Sequence, residues 1–257
     1  MKLVLLAIGV LALAAPAAPA ASEPLRAPIA ARTVVDLTHE MHDAMAFWPG
    51  GVPFRMVRLV DYDKGYRLHK FEMGENTGTH VDAPSHFIEG QRPISRIPLA
   101  DLVVPALVID AKDKVARNAD YQLSASDVAT WEAANGRIAP GTLVILNTGW
   151  HARFARPAEY VNADDKAVMH FPGYGADAAR LLVERGVVGI GIDTLSLDHG
   201  PSQDFATHKI MLAAGKYQIE NLANLDAFPA RGATVIVGVL PVREGTQAQA
   251  RVLALLP

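Results

Sequence analysis

The sequence predicts one α/β domain with more strand than helix, and three observations predict it. Residues 142–146 and 187–193 are apolar at consecutive positions, as strands buried on both faces of a sheet must be. Residues 124–135 and 176–185 show helical periodicity between recognisable start and stop signals. No internal repeat or low-complexity stretch interrupts residues 32–257, so they read as a single domain.

Taken in order, Met1 and Lys2 precede a short apolar run and then Ala/Pro-rich sequence to Ala21. One basic residue, an apolar core and small residues at Ala18 and Ala20 describe a secretory signal peptide cleaved after Ala20 or Ala21. Residues 22–31 read as a Pro/Ala linker or N-terminal arm. Residues 33–37 form a short strand, followed by a loop over 42–51 that carries Phe47 and Trp48 beside Pro49, Gly50 and Gly51. Residues 54–60 and 66–73 alternate as a hairpin about an Asp/Lys/Gly turn. Residues 102–110 are β-rich, with Pro105 requiring an edge or a bulge. Ser124 and Asp127 start the first helix and Gly136 stops it. Pro140 and Gly141 turn the chain into the strand 142–146, whose end carries Asn147, Trp150 and His151. Trp150 reads as a packing residue.

His170, Phe171 and Pro172 make a turn before the helix 176–185, which Gly186 stops. Gly189 and Gly191 lie inside the following strand and lack a third glycine, so they do not form a dinucleotide-binding turn. Residues 203–214 read as a helix bearing His208, with Gly215 at its end, and Glu220 follows in a separate element. Read alone, Glu220 is a solvated carboxylate and His208 a surface residue. Residues 234–240 and 251–256 are closing strands.

The chain has 257 residues, half of them hydrophobic, enough for one substantial core. There is no cysteine, hence neither disulfide framework nor lipid-attachment thiol. A periplasmic or secreted location is expected, with no membrane span once the signal is removed. Losing the single positive charge of Lys2 takes the formal charge from −3 to −4. With no basic run, that balance argues against a nucleic-acid partner.

The densest chemistry lies in Asn76-Thr-Gly-Thr-His-Val-Asp-Ala-Pro-Ser-His86. His80 and Asp82 are two apart, so in an extended chain both face the same side. An imidazole beside a carboxylate suits a divalent cation such as zinc or manganese. Across the Gly78 turn, the Asn76 carbonyl could reach the same ion. Pro84 stiffens the exit and leaves His86 nearby, where a general acid/base is wanted. A lone strand histidine is ordinarily structural, and spacing alone leaves the metal site and a structural role both open. His39 and His42 could approach the same region and are assigned no role.

This run resembles the signature of the cyclase family of metal-dependent hydrolases, which includes bacterial kynurenine formamidases and isatin hydrolases. The family pattern is His-x-Gly-Thr-His-x-Asp-x-Pro-x-His, and every fixed position but the first is matched; Asn76 stands where the family has its first ligand histidine. Trp48-Pro49-Gly50, the run from Gly191 to Asp198, and His208 with Glu220 are similar to further family motifs. The resemblance implies a swivelling β/β/α architecture, with His80, Asp82, His208 and Glu220 as ligands for one or two metals. It implies His86 as acid/base, Trp48 and Phe47 on the substrate side, His170 on the pocket rim, and a homo-oligomer. Asn76 is a weaker ligand than imidazole and favours manganese over zinc.

The expected reaction is hydrolysis of a C–N bond in a small aromatic amide or lactam by metal-activated water. Neither a Gly-x-Ser-x-Gly elbow nor a cysteine nucleophile competes with that route. The motifs around His170 and Asp193 look closer to the isatin-hydrolase branch, and export fits poorly with cytoplasmic tryptophan breakdown. Two other readings share the site: a metal-dependent cyclase or lyase, and a binding protein that lost turnover through Asn76.

Overall fold

The computed structural model describes residues 33–257, so the expected signal peptide and the 22–31 arm lie outside the described residues. The sheet begins with β1 (Thr33–Asp36) and is continued by β4 (His80–Asp82), β5 (Val103–Asp110), β7 (Leu143–Asn147), β9 (Gly189–Ile192), β10 (Tyr217–Glu220), β11 (Ala233–Val239) and β12 (Gln247–Leu256). Its order is β1-β12-β11-β5-β7-β9-β10-β4, and β4 pairs again with β12. That last pairing closes the sheet into a barrel-like ring, with β1 and β4 sharing one edge of β12 end to end.

Two smaller pairings flank the ring: the hairpin β2 (Arg55–Val60) with β3 (Leu68–Glu72), and β6 (Gln122–Leu123) with β8 (Gly173–Tyr174). The helices are α1 (Lys112–Val115), α2 (Ala125–Asn135), α3 (Pro157–Val161), α4 (Ala176–Glu184) and α5 (Ala206–Ala213).

The central strands run parallel and are buried on both faces, as their unbroken apolar sequence requires. Along β5 and β7, Ala106, Val108, Leu143 and Ile145 point into the ring, while Leu107, Ile109, Val144 and Leu146 pack beneath the helices. β9 sends Ile190 and Ile192 to the helices and turns Gly189 and Gly191 inward. A Cβ at Gly189 would lie 2.6 Å from Tyr217 O, and one at Gly191 would lie 2.8 Å from Leu222 Cδ1. These glycines therefore mark close packing of β9 on its neighbours.

Helix α2 starts at a reciprocal capping box in which Ser124 and Asp127 each bond the other's backbone N–H. Trp150 is buried and donates its indole N–H to Tyr160 O, so it packs as expected.

Three expectations shift. Pro105 lies within an interior strand, but β7 begins pairing only at Ala106, so no ladder bond is lost to its missing N–H. The helix bearing His208 begins at Ala206 because Phe205 takes a left-handed backbone, φ 49°. The last strand begins at Gln247, four residues before the expected start at Arg251, because β4 offers a second partner there.

Candidate metal centre

β4 contributes Val81 to the ring interior, so His80 and Asp82 face the opposite way, beneath α5. On β10, Ile219 points inward and Glu220 joins the same outer face, opposite His80 in register. Helix α5 brings His208 across. His80 Nε2 lies 3.3 Å from Asp82 Oδ1 and 3.3 Å from Glu220 Oε2. His208 Nε2 lies 3.3 Å from Asp82 Oδ2 and 3.1 Å from Glu220 Oε1. Two imidazoles and two carboxylates therefore alternate around one point, each nearly or fully buried.

The outer atoms of these ligands are fixed. His80 Nδ1 sits 2.8 Å from Gly78 O, a carbonyl positioned by the left-handed Gly78. That carbonyl can only accept, so Nδ1 keeps a proton, and Nε2 is the nitrogen turned to the cluster. His208 Nδ1 donates to Asp198 Oδ2 at 2.6 Å, and the same carboxylate accepts the backbone N–H groups of Thr207 and His208 at the start of α5. Leu197 N–H donates to Glu220 Oε1, and Gln247 Nε2 donates to Asp82 Oδ1. Outer partners of this kind are what orient metal ligands.

The residues fit a divalent ion. Asp82 Oδ2 is buried and makes no hydrogen bond, with only His208 Nε2 facing it at 3.3 Å, and a cation is the natural partner for it. The 3.1–3.3 Å contacts bring imidazole nitrogens and carboxylate oxygens close enough for one ion to reach several of them at once. His80, Asp82 and Glu220 each place a ligand atom within 4.8 Å of the other two. In the metal-free protein, burial works against the His80 proton, but Asp82 and Glu220 override it and raise the imidazole to about 10. Burial likewise opposes the His208 proton, which Asp198, Asp82 and Glu220 hold well above its ordinary range. Metal entry must displace both protons, so affinity falls with pH.

A cleft of about 300 Å³ opens onto this cluster. His86 stands at its edge, with its ring 6.3 Å from that of His208. Burial lowers its basicity, so it is a neutral imidazole near pH 7, able to accept a proton. Trp48, Phe87 and Phe205 form the aromatic side of the cleft, and Asn76 and Gln247 line its polar side.

The fold thus brings together His80, Asp82, His208, Glu220, His86, Asn76 and Trp48. Asn76 lines the cleft without joining the four-residue ring. His170 does not reach the cleft: Asp120, 2.8 Å from Nδ1, and Asp164, 3.7 Å from Nε2, hold it elsewhere, which corrects the rim assignment. Phe47 is half-buried and does not line the cleft either, because Trp48 takes that side of the loop. The surface readings of His208 and Glu220 are overturned by their burial. Gln247, Phe87, Phe205 and Ser196 also line the cleft, and the sequence did not single out the first three. The alternation from Gln247 onward is the one signal that could have placed Gln247 in a strand.

The family model "Putative cyclase" matches residues 35–199. The chain belongs to this family. It is 34% identical over 211 residues to the isatin hydrolase of Roseibium aggregatum, covering 78% of this chain and 80% of that protein. It is 25% identical over 192 residues to the kynurenine formamidase of Bacillus mycoides, covering 73% and 81%. The structure of isatin hydrolase A from Labrenzia aggregata bound to benzyl benzoate superposes with a TM-score of 0.83 at 35% identity, over 87% of this chain and 93% of that one. The cyclase-family architecture expected from the sequence is the one found.

Proposed function

We propose that the protein is a metal-dependent hydrolase that cleaves the C–N bond of a small aromatic amide or lactam, of the isatin or N-formylkynurenine type. The observation that carries this reading is the buried ring of His80, Asp82, His208 and Glu220 at the floor of a cleft with an aromatic wall. These four residues would hold the ion, with manganese or zinc the candidates. A divalent ion there supplies acidified water at neutral pH and polarises a carbonyl. His86, neutral and at the cleft edge, takes a proton as the carbonyl is attacked and returns it to the leaving nitrogen. Trp48, Phe87 and Phe205 exclude water and hold the aryl ring. Asp198 keeps His208 in the tautomer that binds.

The deciding experiment is the hydrolysis rate of isatin and of N-formylkynurenine by the purified chain, with manganese or zinc and again after chelation. Metal-dependent turnover of either supports the reading and names the branch. No turnover with either metal would refute it.

Two further parts of the reading rest on separate observations. Export to the periplasm or beyond rests on the N-terminal sequence, and N-terminal sequencing of the mature protein should begin at Ala21 or Ser22. A homo-oligomer is supported by the β2–β3 hairpin, which exposes Met56, Leu59, Leu68 and Phe71. Among the described residues no helix is long and apolar enough to cross a membrane.

A further inference from the structure

The outer face of β4 is flanked on both sides by polar side chains in register. β10 sets Gln218 opposite Asp82 and Glu220 opposite His80; β12 sets Gln247 opposite Asp82 and Gln249 opposite His80. Residues directly opposite on antiparallel strands share a face. Asp82 therefore stands between two buried glutamines. They are not equivalent. Gln247 donates to Asp82 Oδ1 at 2.8 Å, with the same amide nitrogen 3.4 Å from His80 Nε2. Gln218 is fully buried, and neither its amide nitrogen nor its oxygen has a partner.

Gln247 is itself held. Its backbone N–H and both donors of Thr246 point at Glu75 Oε2, and Gln249 donates to Gly74 O, Glu75 O and Thr77 O. The start of β12 is thereby tied to the loop that carries Asn76. A carboxylate has two oxygens and one torsion that exchanges them. With Oδ1 bonded to the amide, Oδ2 is left unpartnered and directed at His208.

We propose that Gln247 is a positioning residue for the metal centre: its amide locks the Asp82 carboxylate in the orientation that binds the ion. The inference rests on the metal-dependent reading above. It assigns to the last strand a role in metal affinity. A neutral donor suits the task because two carboxylates already balance a divalent charge, and an added charge would have to be buried unpaired. Loss of an outer-shell partner ordinarily costs 10–100-fold in metal affinity.

The test is a titration of the full metal-free chain with Mn²⁺ and Zn²⁺ against a chromophoric chelator, comparing wild type, Gln247→Met and Gln218→Met. Methionine keeps the volume and removes the donor. Thermal melting of each metal-free protein reports folding, and the electron paramagnetic resonance line shape of bound Mn²⁺ reports ligand geometry. The expected result is metal affinity weakened roughly 10–100-fold in Gln247→Met, with an altered Mn²⁺ spectrum. The metal-free melt should hold, and Gln218→Met should stay near wild-type affinity. Wild-type affinity in Gln247→Met would overturn the inference alone. Equal weakening in both variants would also overturn it, because the effect would then belong to the polar patch and not to the hydrogen bond. If Gln247→Met fails to fold, Gln247→Asn serves in its place; the shorter amide should weaken binding by at least tenfold, and wild-type affinity there overturns the inference. Failure of the wild type to bind either metal would remove the metal-dependent reading, and this inference with it.

Discussion

At the scale of single residues, the division of labour among the histidines follows from their partners. His80 and His208 each use one nitrogen on an oxygen acceptor and turn the other to the cluster, whereas His86 has no such tether. His86→Ala should therefore lower kcat by roughly 10²–10⁴-fold while the protein keeps its full metal content, measured by elemental analysis beside the rate. A variant that lost its metal would place His86 among the ligands.

His39 supplies a separate pH dependence. Its ring stacks on Phe154 at 3.7 Å, and Nε2 is buried without a partner. Burial, helped by His151, lowers its pKa from 6.5 to about 4. The unfolded chain binds a proton between those values and the folded chain does not. This contribution to stability is full above pH 6.5, falls as pH drops, and levels off below about pH 4. The total is on the order of 3 kcal/mol. His39→Phe should flatten the loss of denaturation midpoint between pH 6.5 and 4; an unchanged slope would assign it to other groups.

At the scale of elements, β9 is the strand with least freedom. Its inward glycines admit Tyr217 and Leu222 where a side chain would collide with backbone or core atoms. Gly189→Ala should destabilise the fold by about 1–3 kcal/mol in denaturant unfolding, and a neutral result would show that β10 can move aside. The β2–β3 hairpin is the opposite case. A two-stranded hairpin with exposed apolar residues on both strands is marginal in water, so a covering partner is expected. In light scattering, the chain should run larger than its 27.5 kDa. Phe71→Glu combined with Leu59→Glu should shift it toward that mass, and a wild type already at that mass would count against the assembly.

For the whole molecule, the closing contact is decisive. β4 lies between β10 and the start of β12, so the signature residues sit where the ring shuts. The ligands come from β4, β10 and α5, and a bound ion would cross-link all three. Free metal at a hundred times its Kd should add about 2.7 kcal/mol of stability, and chelation should lower the melting temperature accordingly. A melt indifferent to chelation would show that no ion binds the folded chain in preference to the unfolded one.

What the sequence determined by itself is what local chemistry dictates. Consecutive apolar residues required β7 and β9 to be central, Ser124 and Asp127 set the start of α2, and the spacing of His80 and Asp82 placed them on one face. Motifs carried the family. Packing between elements settled the roles of residues distant in the chain. Glu220 and His208 look solvated until β10 pairs with β4 and Asp198 draws the start of α5 over the sheet. His170 looks poised for the cleft until two carboxylates claim it. Gln247 lies ahead of the expected last strand until β4 offers a second edge to β12. In each case burial and partner choice arise from packing between elements, which periodicity within one element does not encode.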